Sequence, residues 1–127
     1  MFLVILSSSC LGPEEPDPPG PSAVSQADAD QVVEGLCEMS GEIRGDVESG
    51  RTVFYDRVHE RLHAIAAEAQ EVDAVAAGSM LEAKQLVEAD LEAAAAPAGY
   101  EEHVDSLLVV AQDAVVLIGL DDPGCGG

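Results

Sequence analysis

Tryptophan is missing from this sequence, and the aromatic supply is limited to Phe2, Phe54, Tyr55 and Tyr100, 3% of the residues. A core must then be filled mainly by Ala, Val and Leu. Such a core is thin and favours helices, because alanine loses least on entering one. Basic residues are as scarce: 5 against 25 acidic ones, with Lys84 the sole lysine, for a formal net charge of -20. Nucleic acids and anionic lipid headgroups are repelled by this field, since their binding needs clustered Lys and Arg to displace counterions. The same balance fits both adaptation to strong salt, where screening tolerates self-repulsion, and a high-GC codon bias. Composition does not separate the two.

Cysteine occurs three times, at positions 10, 37 and 125, with no C-x-x-C pair, which excludes zinc-ribbon, thioredoxin-like and haem-attachment readings. The longest apolar stretch, 107–120, is interrupted by Gln112 and Asp113. It falls short of the roughly 20 residues of a membrane span and reads as a core helix. A nucleophile elbow, a phosphate-binding loop and a dinucleotide fingerprint are all missing. The expectation is a non-enzymatic protein.

What is present points to one small domain. Hydrophobic residues make up 47% of the 127, a globular fraction, so the acidity is not a sign of disorder. Met1 to Ser9 form an apolar run followed by small residues, directly before Cys10. This resembles the lipobox of bacterial lipoproteins. The resemblance implies that a peptidase cuts after Ser9 and that Cys10 carries a lipid anchoring the chain to a membrane. The run lacks a preceding Lys or Arg and is shorter than the roughly 7 to 15 residues of a usual signal peptide, which places the true start upstream. Residues 11–22 carry five prolines and three acids, a composition that excludes helix and sheet and suits an extended spacer. The expected division is a signal peptide over 1–9, a lipidated cysteine and tether over 10–24, and a helical domain over 25–127.

From Ser25, which with Asp28 forms a capping-box pattern, helical spacing takes over. The first stripe is Val32, Val33, Leu36, Ser40, Ile43 and Val47, bracketed by Gly45 and Gly50. A second runs through Phe54, Val58, Leu62, Ile65, Ala69 and Val72. Asp73 caps a third, Ala76, Met80, Ala83, Val87, Leu91 and Ala94, which stops at Pro97 and Gly99. The second and third run almost in phase, leaving one long helix open. The fourth starts near Tyr100 and carries Val104, Leu107, Leu108, Ala111, Ala114, Val115 and Ile118. The fold class expected is all-α, an antiparallel up-down bundle of about four helices after a proline-rich tether.

One motif carries chemistry. His59-Glu60-Arg61-Leu62-His63 matches H-E-x-x-H, which places two imidazoles on one helix face within reach of a zinc ion. It resembles the zincin metalloprotease signature over five residues, without the third histidine, and Glu82 or Glu88 would have to supply the missing ligand. By helical phase the two rings fall about 100 to 150° from the apolar stripe, at its edge or outer face. Glu60-x-x-His63 is also half of a di-iron pairing whose other half is missing. Asp90 lies near the apolar arc between Val87 and Leu91, where Arg44 or Arg57 could meet it.

Three function classes follow. The first is a membrane-anchored envelope lipoprotein that binds an envelope protein or cell-wall partner, with no cofactor and no nucleic acid. The second is a metal-binding lipoprotein holding zinc or another divalent transition metal through His59 and His63, helped by Glu60, Asp56 or His103. The third is a small zincin-like protease.

Cys37 and Cys125 are expected to pair, because both lie in the exported part and no metal-ligand spacing competes for them. In an up-down bundle the tail after Gly119 must climb about 18 Å to reach Cys37, twelve residues along the first helix, and seven extended residues span that. Closing a loop of about ninety residues contributes roughly 4 kcal/mol in the chain-entropy model. Thiol titration of protein taken from the envelope should find neither cysteine free, and two reactive thiols there would reject the pairing.

Overall fold

A computed structural model describes residues 24–126. The apolar run, Cys10 and the proline-rich segment lie outside the described residues. The helical domain has the expected architecture: α1 (Gln26–Ser40), α2 (Val47–Val53), a π-helical turn (Phe54–Val58), α3 (His59–Val72), α4 (Ala74–Leu91) and α5 (Tyr100–Leu117). From Val47 to Val72 the chain is helical without a break. The result is four antiparallel rods in which α1 packs on α3, α3 on α4, α4 on α5, and α5 closes back on α1.

Local chemistry sets each boundary. The Ser25 hydroxyl accepts from the Asp28 amide at 3.1 Å while the Asp28 carboxylate accepts from the Ser25 amide at 3.2 Å, a reciprocal cap that opens α1. Ser40 is the last residue of α1, earlier than the Gly45–Gly50 bracket suggests. The Gly41 amide folds back onto the carbonyls of Cys37 and Glu38, and Gly45, at φ 80, turns the chain in a way most side chains disfavour. Val47 therefore belongs to the next helix, which Asp46 caps by accepting from the Ser49 amide at 3.1 Å. Asp73, with φ -154 and ψ 98, breaks the in-phase stripes into two helices and accepts from the amides of Val75 and Ala76. Val72, placed on an apolar stripe by spacing, is exposed at the end of α3, and Ala94 is exposed beyond α4, which ends at Leu91, short of the expected stop at Pro97 and Gly99.

The core runs the length of the bundle. Val32, Val33, Leu36, Phe54, Val58, Leu62, Ile65, Met80, Val87 and Leu107 are fully buried. Small residues let the rods come close: a Cβ added at Gly35 would sit 2.8 Å from a Val58 methyl. After α5 the tail returns along α1. Gln26 donates to the Asp121 carbonyl at 2.7 Å and accepts from the Asp121 amide at 2.9 Å. Cys125 is joined to Cys37, their Cα atoms 5.4 Å apart.

All four arginines tie separate elements together. Arg44, between α1 and α2, reaches Glu101 and Asp105 on α5; Arg51 donates to the Leu91 and Ala93 carbonyls at the end of α4. Arg57 reaches Gln31 and Glu38 on α1, and Arg61 lies 3.4 Å from Asp28. Hydrogen bonds from Arg44, opposed by partial burial and aided by Ser40, hold the Asp105 carboxyl below its usual range. The Ser49 amide does the same for Asp46.

These groups fix the pH dependence. A carboxyl whose folded pKa is depressed contributes stability above its unfolded value, near 3.9, and loses it as pH falls through the lower folded value. Mild acidification acts in the opposite sense by relieving repulsion among the acids. Thermal melts should show the midpoint rising from pH 7 to about 5 and falling below about 4. In Asp105→Asn the acid limb should be shallower, and a limb parallel to that of the parent chain would contradict this account.

Candidate functional site

The H-E-x-x-H segment follows the π-helical turn directly, and that turn decides where its side chains go. The His59 amide bonds to the Phe54 carbonyl, five residues back, and the wider turn accommodates an extra residue. Tyr55, His59 and His63, at successive four-residue steps, therefore line up along the rod. The ring centroids are 5.2 Å apart for Tyr55–His59 and 4.9 Å for His59–His63. Phe54 packs edge-on against His59 from the core side.

Helical phase allows the edge or the outer face: His63 is exposed, and His59 is half-buried at the edge and turns toward α4. Its Nε2 lies 3.0 Å from Glu88 Oε2. That same oxygen accepts from Lys84 Nζ at 2.8 Å. Lys84 is only 5% exposed. Partial burial pushes the His63 imidazole down, and the charges of Lys84 and His59 push the same way. The cluster thus holds two imidazoles, one carboxylate and one ammonium. Among the described residues no three His, Cys, Asp or Glu side chains converge on a metal position. Of the helpers considered for His59 and His63, Glu82, Asp56 and Glu60 are exposed. Glu60 is near enough for its charge to favour a protonated His63.

His103 lies in a second cluster. Its Nδ1 is 2.6 Å from Asp90 Oδ2, which corrects the idea that Asp90 meets Arg44 or Arg57. Both arginines are engaged elsewhere, and His103, one turn into α5, is the group the α4–α5 hairpin brings to Asp90. An Asp–His pair of this kind orients the ring through its Nδ1, and the Nε2 edge lies beside Gly99. It also joins the two helices across their loop. Beside it the Tyr100 side chain is fully buried, and its hydroxyl has no hydrogen-bond partner among the described residues. Burial, with Asp46 and Asp90 nearby, pushes the phenol pKa up, so this hydroxyl stays neutral. It packs against Gly50, where any Cβ would collide with it.

A third feature is an open groove of about 590 Å³ beside the disulfide, walled by Glu34, Glu38, Glu42 and Arg57. Arg57 is ion-paired to two of these acids, at 3.8 Å to Glu34 and 2.8 Å to Glu38.

Spacing alone missed Lys84 and Tyr100. Lys84 falls at a core position, since Met80, Lys84, Val87 and Leu91 follow at four, three and four residues. Its charge argued for the surface, and Glu88 one turn later was the signal that it could be buried as a pair. No family model, curated protein or solved structure matches this sequence.

The Tyr100–Gly50 contact is open to a direct test. Gly50→Ala should destabilise the bundle by about 1–3 kcal/mol through overpacking. Tyr100→Phe removes an unpartnered hydroxyl and should cost little. Combining the two should recover most of the loss in denaturant melts, and additive effects would show that the contact is not the cause.

Proposed function

We propose that this chain is an extracytoplasmic lipoprotein, held to a bacterial membrane through Cys10, whose acidic bundle serves as a binding or structural module of the cell envelope and not as an enzyme. The observation that carries this reading is the disulfide between Cys37 and Cys125. A bond of that kind persists in oxidising compartments outside the cytoplasm. Pairing these two leaves Cys10 as the odd thiol, in the one position where small residues precede it and a proline-rich segment follows. Anchor, spacer and domain then stand in the order a tethered module needs.

The partner is a protein or cell-wall component, and the charge of -20 favours one with a cationic surface. A second reading, metal binding through His59 and His63, is favoured by one contact. Glu88 lies 3.0 Å from His59 and brings a carboxylate to the inner imidazole of the pair.

Expression from the native gene, with whatever coding sequence lies upstream, tests the anchor. The protein should partition into the detergent phase and incorporate a labelled fatty acid, and Cys10→Ser should abolish both. Retention of the serine variant in the detergent phase would reject the lipid anchor.

A further inference from the structure

Every arginine bridges two elements of the bundle, but Lys84 does not. It forms its ion pair within α4, to Glu88 one turn on, and it is buried almost completely to do so. Holding a lysine this way costs side-chain entropy and hydration. An apolar residue would fill the same core position without that cost. What distinguishes the location is its company. The oxygen that accepts from Lys84 Nζ also faces His59 Nε2, and His63 packs edge-on against His59 within reach of the Lys84 charge. Two imidazoles four residues apart on a helix, with one carboxylate from a neighbouring helix, are a donor set suited to zinc and similar ions.

We propose that Lys84 is a built-in cation occupying a site that His59, His63 and Glu88 otherwise offer to one divalent transition-metal ion, so that metal enters only as the ammonium leaves. This rests on the metal-binding reading of the histidine pair and adds to it a competitor. Three features make the exchange workable. The π-helical turn has already lined up the two rings along α3, 4.9 Å apart; with Lys84 in place the three side chains do not converge on one point, so they close on the metal only as the ammonium leaves. Glu88 already faces both groups through one oxygen, 2.8 Å from Lys84 Nζ and 3.0 Å from His59 Nε2. The lysine stem is long enough to carry its ammonium to solvent while its methylenes stay against the core. Like charges this close exclude double occupancy, so the metal affinity of the parent chain is set by the cost of expelling Lys84.

Zinc titration of the full chain, with the disulfide intact, tests this. The parent chain should bind zinc weakly, and Lys84→Met, which keeps the stem volume and drops the charge, should bind at least tenfold tighter. The gain should vanish when His59→Ala or Glu88→Gln is added. Equal affinity in the parent and Lys84→Met chains, both lost with His59→Ala, would overturn the role of Lys84 and leave the metal reading standing. Binding that ignores His59→Ala, or no binding by either chain, would overturn both. A second measurement needs no substitution and decides the matter if Lys84→Met does not fold. Because Lys84 is the sole lysine, its acylation by an amine-reactive reagent can be followed on one peptide by mass spectrometry. Saturating zinc should speed that acylation several-fold and magnesium should not; an unchanged rate with zinc bound would overturn the proposal.

Discussion

A core built largely from alanine, valine and leucine has to hold together a chain in which acids outnumber bases by 25 to 5. Small side chains bury little apolar area each, while the repulsion acts over the whole surface. The fold answers by letting the rods approach closely, with Ala29, Ala69, Ala77 and Ala111 fully buried and Gly35 admitting the Val58 methyl. It also places each arginine where it joins two elements, and adds a covalent link between α1 and the tail. Surface ion pairs are individually weak. Arg44 is a stronger case, since its guanidinium takes both oxygens of Asp105 at 2.9 and 3.0 Å and Glu101 at 3.0 Å. One cation thereby offsets two carboxylates where the α1–α2 connection meets α5.

The fold was legible because the elements announce themselves at their ends. Ser25 with Asp28, Asp73, and the start near Tyr100 all mark boundaries found in the bundle, whereas α4 ends at Leu91, before the Pro97–Gly99 stop. The α1–α2 corner was not, because Ile43 and Val47 continue the first stripe by spacing although the backbone has already turned at Gly41. Ile43 still packs on the core from the turn. A periodicity argument cannot tell a residue that follows the helix from one folded back beside it.

The π-helical turn is a subtler case with a visible cause. Phe54, Val58 and Leu62 are separated by two consecutive steps of four, and at ~100° per residue each such step drifts about 40° around a regular helix. All three are nonetheless fully buried. The wider turn absorbs the drift, and in doing so it aligns Tyr55, His59 and His63, which share the same spacing. Sequence phase on a regular helix put both imidazoles at the edge or outer face of the stripe; His59 takes the edge, at the α3–α4 seam, where Glu88 meets it. Two consecutive four-residue steps in an apolar stripe were the available sign. The partner of Asp90 was illegible for another reason: spacing within α4 says nothing of which α5 residue the hairpin sets against it.

Chemistry is unevenly distributed along the bundle axis. Val24, where the described chain begins, donates its amide to Glu68 near the end of α3. At that end lie the α3–α4 corner and the end of α5, with Val72, Val75 and Val116 exposed and a cleft of about 420 Å³ between Val72 and Ile118. The opposite end holds the Arg44 clamp, the Asp90–His103 pair and Tyr100, and the His59–Glu88–Lys84 cluster lies toward it along α3 and α4. Val24 and the start of α1 thus stand at the end of the bundle opposite the Arg44 clamp and the Asp90–His103 pair. The disulfide fits this arrangement. The tail leaves α5 at the same end as Val24 and is drawn along α1 to Cys37 near the far end, where one covalent bond pins it across the length that the thin core has to hold.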